Sequence, residues 1–204
     1  MRVMLDQTVC DVRADSVESA IAAAAQMAEA RGRMIVEVLV DGRTWTHDEP
    51  ASESSTKACD EIQLTSADPA DLVCQTFDQA SEALREADAL QQSAAELIQA
   101  DQSPQAMAKL GEALAIWQSV QQSVSMGADV AGLDLDKEIA AASMEGVIER
   151  LNQHLEAIRV ALENSDPVGL ADTLLYDLPE VNVQWRGLLE TLRRRVAKDA
   201  AGQQ

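Results

Sequence analysis

The spacing of apolar residues beyond Pro69 constrains the fold of this chain more than any other feature. In one stretch, apolar side chains recur at alternating steps of three and four residues, at Ile148, Leu151, Leu155, Ile158 and Leu162. Steps of three and four place side chains on one face of an α-helix. Similar stripes mark the flanking segments, and short connections favour antiparallel neighbours. Residues 68–204 are therefore predicted to form an antiparallel bundle of four to five helices.

Prolines, glycines and capping residues divide this region into separate helices. The predicted helices run from Pro69 to about Asp101, from Pro104 to a break at Gly127–Gly132, from Asp134 or Asp136 through Leu162, from Val168 to Leu178 with Pro179 closing the helix, and from about Val181 to Lys198. Met107 and Leu162 are placed on the core faces of their helices. The basic residues Arg193–Arg195 fall in the last turns, where cations complement the helix dipole.

The first 67 residues show the two-residue alternation that is typical of strands. In Arg33–Val40, this alternation predicts a strand with Met34, Val36, Val38 and Val40 on one apolar face. The following dipeptide, Asp41-Gly42, favours the type I′ turn of a hairpin. A helix from about Val17 to Arg31, ended by Gly32, precedes the strand.

Further short strands are predicted at Arg2–Leu5, Thr8–Val12 and Glu61–Thr65. The chain is therefore predicted to be an α+β protein of two domains. A small β-α-β-β-β module occupies residues 1–67, and the helical bundle occupies residues 68–204.

The chain carries a formal net charge of −19. A strongly negative surface repels nucleic-acid phosphates and anionic lipid and attracts basic proteins. The alternative is that the charge only keeps the protein soluble. The apolar runs are far shorter than the roughly 20 residues of a membrane-spanning helix. We therefore expect an acidic protein that binds neither nucleic acid nor membrane. Three cysteines without a paired spacing, and no apolar leader, favour the cytoplasm.

Metal and cofactor motifs are not recognisable in the sequence. The two histidines, His47 and His154, do not lie three residues after a glutamate, as a di-iron bundle requires. His154, between Leu151 and Leu155, is expected to be a hydrogen-bonded residue at the core edge. A glycine-rich phosphate loop is also missing. No cofactor is predicted.

The strongest catalytic candidate is the cluster Trp45, His47, Asp48 and Glu49 after the hairpin. A histidine beside carboxylates can act as a general base or a metal ligand. The alternative is a tryptophan packed on the module beside a solvated acidic loop. Cys10, Cys59 and Cys74 lack the basic neighbours that activate a thiol, apart from Lys57 near Cys59, and are expected to be unreactive.

A short amphipathic segment, Leu170–Pro179, carries Asp172, Tyr176 and Asp177 ahead of Trp185. Its leucines are expected to pack inward and its tyrosine to lie at the rim, which makes it a candidate edge for peptide binding. The pattern Leu-Ala-Asp-x-Leu-x-Tyr-x-Leu before a final helix resembles a segment of uncharacterised bacterial helical proteins. That resemblance, from Leu170 to Trp185, implies a helical fold and no particular activity.

Together these features favour a non-enzymatic protein-interaction, adaptor or chaperone-like module. Its expected partner is another protein, for which the charge favours a basic surface, or a second copy of the chain paired through the edge of Arg33–Val40. The alternative is a small metal-dependent hydrolase with a site at the junction of the two modules. The candidate interaction residues are Trp45, His47, Asp172, Tyr176 and Asp177.

Overall fold

The computed structural model describes residues 1–12, 14–45 and 59–202. The chain divides into two compact units, Met1–Leu72 and Val73–Gln204. The predicted division between residues 67 and 68 lies slightly earlier, before the first turn of a long helix. None of the helices in the described ranges is both long enough and apolar enough to cross a membrane.

The first unit contains a five-stranded mixed sheet and one helix. The elements are β1 (Arg2–Leu5), β2 (Thr8–Cys10), α1 (Val17–Glu29), β3 (Met34–Val40), β4 (Arg43–Thr44) and β5 (Glu61–Ala67). The strand order is β2-β1-β5-β3-β4, with β1 and β5 parallel and the other pairs antiparallel. Buried alanines of α1 pack on buried aliphatic residues of β1 and β5. The predicted α+β class is confirmed.

Two turns follow directly from residue type. Asp41 and Gly42 both have positive φ angles, 48° and 77°, as a type I′ turn requires. Gly32, with a φ of 68°, reverses the chain after α1. The predicted hairpin and the predicted glycine stop are both confirmed.

The prediction that Met34, Val36, Val38 and Val40 share one apolar face of β3 is wrong for Met34 and Val36. Ile35 pairs with Ser66 and Glu37 with the adjacent Thr65, so Val36 is an extra residue in a β-bulge. A bulge moves the residues before it to the opposite face. Ile35 therefore packs on the core with Val38 and Val40, while Met34 and Val36 are exposed.

The second unit is helical. Its elements are α2 (Pro69–Gln99), α3 (Ser103–Ala131), α4 (Leu135–Ala141), α5 (Val147–Glu163), α6 (Pro167–Asp172), a π-helical turn (Thr173–Asp177, called the π-turn below) and α7 (Leu178–Gly202). Four of these helices are long, and two are short. At the centre, Trp117 of α3 and Trp185 of α7 meet edge to face with ring centroids 5.7 Å apart. Trp185 also donates through Nε1 to the carbonyl of Val147 at 3.3 Å.

The predicted break at Gly127 is wrong, because α3 continues through it to Ala131. Gly127 is buried against the ring of Phe77, where a side chain would collide with it. Its small size serves helix packing rather than helix termination. The helix ends at Gly132, which has a φ of 65° and the left-handed conformation of a helix end.

The predicted third helix is two helices, α4 and α5. Ser143 and Gly146 between them have positive φ angles of 55° and 76°. The amide of Met144 donates back to the carbonyl of Ile139, which closes the end of α4. The apolar spacing of residues 148–162 therefore describes α5 alone.

The predicted helix end at Pro179 is also wrong, because the chain stays helical from Pro167 to Gly202. In the π-turn, the amide of Leu178 donates to the carbonyl of Thr173, five residues earlier. A proline ring normally crowds the carbonyl four residues before it, here that of Leu175. The wider π-turn relieves this crowding, and α7 begins without a break.

The basic residues Arg193–Arg195 lie inside α7 and not in its last turn, which contradicts their predicted position. Each contacts a carboxylate. Arg193 pairs with Asp78 at 3.1 Å, Arg194 with Glu190, and Arg195 with Glu138 at 3.4 Å. The pairs of Arg193 and Arg195 join α7 to α2 and α4, whereas the pair of Arg194 lies within α7.

Candidate functional site

Asp172, Tyr176 and Asp177 lie together at the surface of the helical unit, on α6 and the π-turn. Along this continuous helical run, exposed residues recur at steps of four, four, four and three. They are Val168, Asp172, Tyr176, Glu180 and Val183, and we call this set the acidic stripe. Its apolar members are unusually exposed, at 68% for Val168, 70% for Tyr176 and 59% for Val183.

The opposite side of the same run is buried and holds the stripe in place. Leu170, Leu174 and Leu178 are almost fully buried, as the sequence predicts, whereas Leu175 is only half-buried. The start of α6 is capped by Asp166, whose Oδ1 accepts from the amide of Gly169 at 2.9 Å. The stripe is therefore displayed on a packed helix and not on a loop.

The π-turn affects the alignment of the stripe. In an α-helix, residues four apart drift around the axis, because one turn contains 3.6 residues. A hydrogen bond that spans five residues puts more residues into the turn, so that four residues complete slightly less than one turn instead of slightly more. The π-turn therefore offsets the rotation that accumulates along the α-helix. Asp172, Tyr176 and Glu180 consequently stay on one face across the junction of α6 and α7.

His154 of α5 lies next to the π-turn. Its Nδ1 is 3.8 Å from Oδ2 of Asp177, and its side chain is 28% exposed. That distance is too long for a hydrogen bond. His154 lies at the core edge as expected, but its contact with Asp177 is not the predicted hydrogen bond.

The other candidate residues belong to the first unit. Trp45 is partly buried, and its amide donates to the carbonyl of Val38 at 2.9 Å, which extends the hairpin. His47, Asp48 and Glu49 lie outside the described residues, so the predicted catalytic cluster stays a prediction. Among the residues that are described, no three His, Cys, Asp or Glu side chains are arranged to hold a metal ion.

The thiol of Cys59 is surrounded by acceptors. Its Sγ donates to the carbonyl of Glu61 at 3.3 Å and lies 3.6 Å from Oδ1 of Asp41. Burial, followed by the negative charge of Asp41, raises the pKa of Cys59. A thiol in such surroundings resists ionisation and is a poor nucleophile.

Sequence reasoning missed a small apolar groove at one end of the helical unit, which we call the end groove. It lies between the α2–α3 and α5–α6 connections, and its volume is about 290 Å³. Its apolar lining consists of Ile98, Met107, Ala161, Leu162, Pro167 and Leu170. Met107 and Leu162, predicted as core residues, are 38% and 41% exposed, because the helix ends leave them uncovered.

A second, more open groove of about 670 Å³ lies between α4 and α5. Ile139 and Val147 contribute apolar surface, and Asp136, Glu149 and Glu156 contribute carboxylates. Glu156 already pairs with Arg159. This groove exists because α4 and α5 are separate helices, which the sequence pattern did not reveal.

Fold and surface together define a helical-bundle protein that carries a small mixed sheet at its N-terminus. Residues 75–188 match the model of the family described as Domain of unknown function (DUF8042), and the chain belongs to this family. The match includes Leu170–Trp185, which agrees with the resemblance of that segment to uncharacterised helical proteins. Neither a curated protein nor a solved structure matches the chain.

Proposed function

We propose that the chain is a non-enzymatic protein-interaction module of the cytoplasm, whose acidic stripe binds a basic segment of a partner protein. The observation that supports this most strongly is the alternation of exposed apolar and acidic side chains along one helical face. Singly exposed apolar residues are ordinary. Here three of them, Val168, Tyr176 and Val183, share one helical face with two carboxylates.

The apolar members would supply most of the binding energy. Aromatic residues are enriched among the residues whose truncation weakens protein interfaces most. Tyr176 is largely exposed and offers both a ring and a hydroxyl group. It lies between Val168 and Val183 along the helix, so a partner can cover all three together.

The acidic members would select the partner's charge. In the described part of the chain, neither Asp172 nor Glu180 forms an ion pair, so both carboxylates are available to partner cations. The net charge of −19 would speed the approach of a basic partner and would make binding sensitive to salt.

The spacing indicates the kind of segment that fits. A helix laid along the stripe would present apolar residues at steps of three or four, with lysine or arginine between them. Such binding would suit an adaptor or a chaperone-like protein. A second copy of the chain is a poorer partner, because its own stripe carries the same negative charge.

Site-specific photo-cross-linking tests this proposal. A benzophenone amino acid replaces Tyr176 in cells that express the chain, and the matched control carries it at Val130, an exposed position on α3. We expect a partner adduct from position 176 alone, with the contacting peptide rich in lysine, arginine and apolar residues. The adduct should weaken when Asp172→Asn and Glu180→Gln are combined.

Identical adducts at both positions, or a contacting peptide without basic residues, would contradict the proposal. An adduct with a second copy of the chain would show that the stripe mediates self-association instead of binding a different protein.

A further inference from the structure

The end groove adds a second feature to this binding surface. We propose that it binds one bulky apolar side chain, a leucine, methionine or phenylalanine, carried beside a lysine or arginine on the basic partner segment. This inference rests on the proposed function, since it describes the same partner.

The chemistry of the walls favours an apolar occupant. Six aliphatic or thioether residues line the groove, and two of them, Met107 and Leu162, remain partly open to solvent. Methionine is common at adaptable binding surfaces because its side chain is unbranched and polarisable. Covering these two side chains would remove apolar area from water, which favours binding.

The size of the groove limits what it can hold. Pockets for drug-sized ligands and cofactors usually measure about 300–1,000 Å³. At about 290 Å³, the end groove lies at the bottom of this range, and it is open on one side. One side chain of a larger partner fits such a space better than a free cofactor.

The charges at the groove indicate what flanks the apolar side chain. Asp101 and Asp166 are the charged residues in the described lining, which includes no lysine or arginine. Asp166 is already engaged in capping α6. Asp101 forms no ion pair with any described residue, so its carboxylate is available to a cation of the partner.

The groove and the acidic stripe involve neighbouring residues at the start of α6. Pro167 lines the groove, and the next residue, Val168, begins the stripe. A single segment can therefore follow the stripe and place an apolar side chain in the groove at its end. Two contacts on one segment would raise affinity more than either would alone.

Selection from a displayed library of random twelve-residue peptides, with the full chain as the target, tests the inference. We expect the enriched peptides to combine several basic residues with one bulky apolar residue. The best peptide is then synthesised, and its affinity is measured by fluorescence anisotropy for four proteins. These are the unmodified chain, the groove variant Met107→Ser/Leu162→Ser, the control variant Met126→Ser/Val130→Ser and Tyr176→Ala.

The control variant changes a methionine and a branched aliphatic residue elsewhere on the surface, since Met126 and Val130 are also exposed. We expect the groove variant to weaken binding about tenfold, which corresponds to about 1.4 kcal/mol, and the control to change it less than about twofold. Replacing the peptide's apolar residue by alanine should also weaken binding about tenfold. The alanine peptide should then bind the unmodified chain and the groove variant with equal affinity. Thermal melts confirm that each variant is folded.

Loss of binding in Tyr176→Ala but not in the groove variant would overturn the inference and leave the proposed function in place. Loss in the groove variant alone would support the groove and contradict the role of the stripe. Failure to enrich any basic peptide would overturn both.

Discussion

Asn182 of α7 donates through its side-chain Nδ2 to Oε1 of Gln91 on α2 at 2.9 Å, inside the helical core. Both residues are almost fully buried. The same Nδ2 lies 3.3 Å from Oδ1 of Asp88. Buried polar groups are costly unless they are hydrogen-bonded, and this hydrogen bond links α7 to α2. Oδ1 of Asn182 and Nε2 of Gln91 are buried without a hydrogen-bond partner among the described residues, so the pair is only partly satisfied.

The first prediction follows from this pair. Asn182→Leu alone should lower the free energy of unfolding by about 1–3 kcal/mol, because Oε1 of Gln91 then loses a buried donor. Gln91→Leu/Asn182→Leu should recover most of that loss, because both polar groups are removed together. Urea denaturation measures both. Gln91→Leu alone is measured in the same way. A double variant whose loss of unfolding free energy equals the sum of the losses in Asn182→Leu and Gln91→Leu would contradict this account.

The second prediction concerns two glycines of α3. An alanine side chain at Gly127 would lie 2.6 Å from Phe77 Cε1, whereas nothing lies within 4 Å of one at Gly111. Gly111→Ala should stabilise the chain by roughly 0.5–1 kcal/mol through helix propensity. Gly127→Ala should destabilise it by about 1–3 kcal/mol, because the buried ring must move. Equal melting temperatures for the two variants would show that the described packing is wrong.

The third prediction concerns Asp6, in the β1–β2 turn. Its carboxylate accepts from the hydroxyl and the amide of Ser66 at 2.6 and 2.7 Å, and Arg33 lies 3.8 Å away. These contacts lower the pKa of Asp6. The largest effect comes from the hydroxyl of Ser66, followed by its amide and by the charge of Arg33. A lowered folded-state pKa adds stability above the unfolded value of about 3.9, and this stability is lost as pH falls through the folded value.

Asp6→Asn should therefore destabilise the first unit by about 1 kcal/mol at neutral pH, a modest figure because the carboxylate is partly exposed. The difference from the unmodified chain should vanish in acid. Amide NMR signals of Ile62 and Leu64 report unfolding of this unit during urea titrations at each pH. Asp11→Asn serves as the control at an exposed position, and a penalty that persists in acid would contradict the assignment.

The fourth prediction concerns the thiol of Cys59. In a Cys10→Ser/Cys74→Ser background, alkylation by iodoacetamide at pH 8 should be slower than that of a small free thiol, because burial and Asp41 raise the pKa of Cys59. Asp41→Asn should speed the reaction. Mass spectrometry follows both rates. Alkylation faster than that of the free thiol would point to an activated nucleophile and reopen the hydrolase alternative.

Where one local signal was sufficient, the sequence predicted the fold well. Asp41-Gly42 and Gly32 each determine a turn through their backbone conformation, and the apolar spacing in α5 determines its buried face. Asp172, Tyr176 and Asp177 could be grouped because they lie on one short helical run.

The errors arise where tertiary packing overrides a local rule. Gly127 looks like a helix end but accommodates Phe77, and Pro179 looks like a stop but follows a π-turn. Val36 keeps the two-residue alternation but forms a bulge. The end groove was not predictable, because it depends on how two distant connections meet.

NMR mapping of the partner segment identified by cross-linking tests the central claim most directly. When the synthetic segment is added to the isotope-labelled chain, we predict shift changes concentrated at the acidic stripe, from Val168 to Val183. These changes should shrink as salt is raised. Changes centred on Asp136 and Glu149 of the α4–α5 groove, with the stripe unaffected, would contradict the claim.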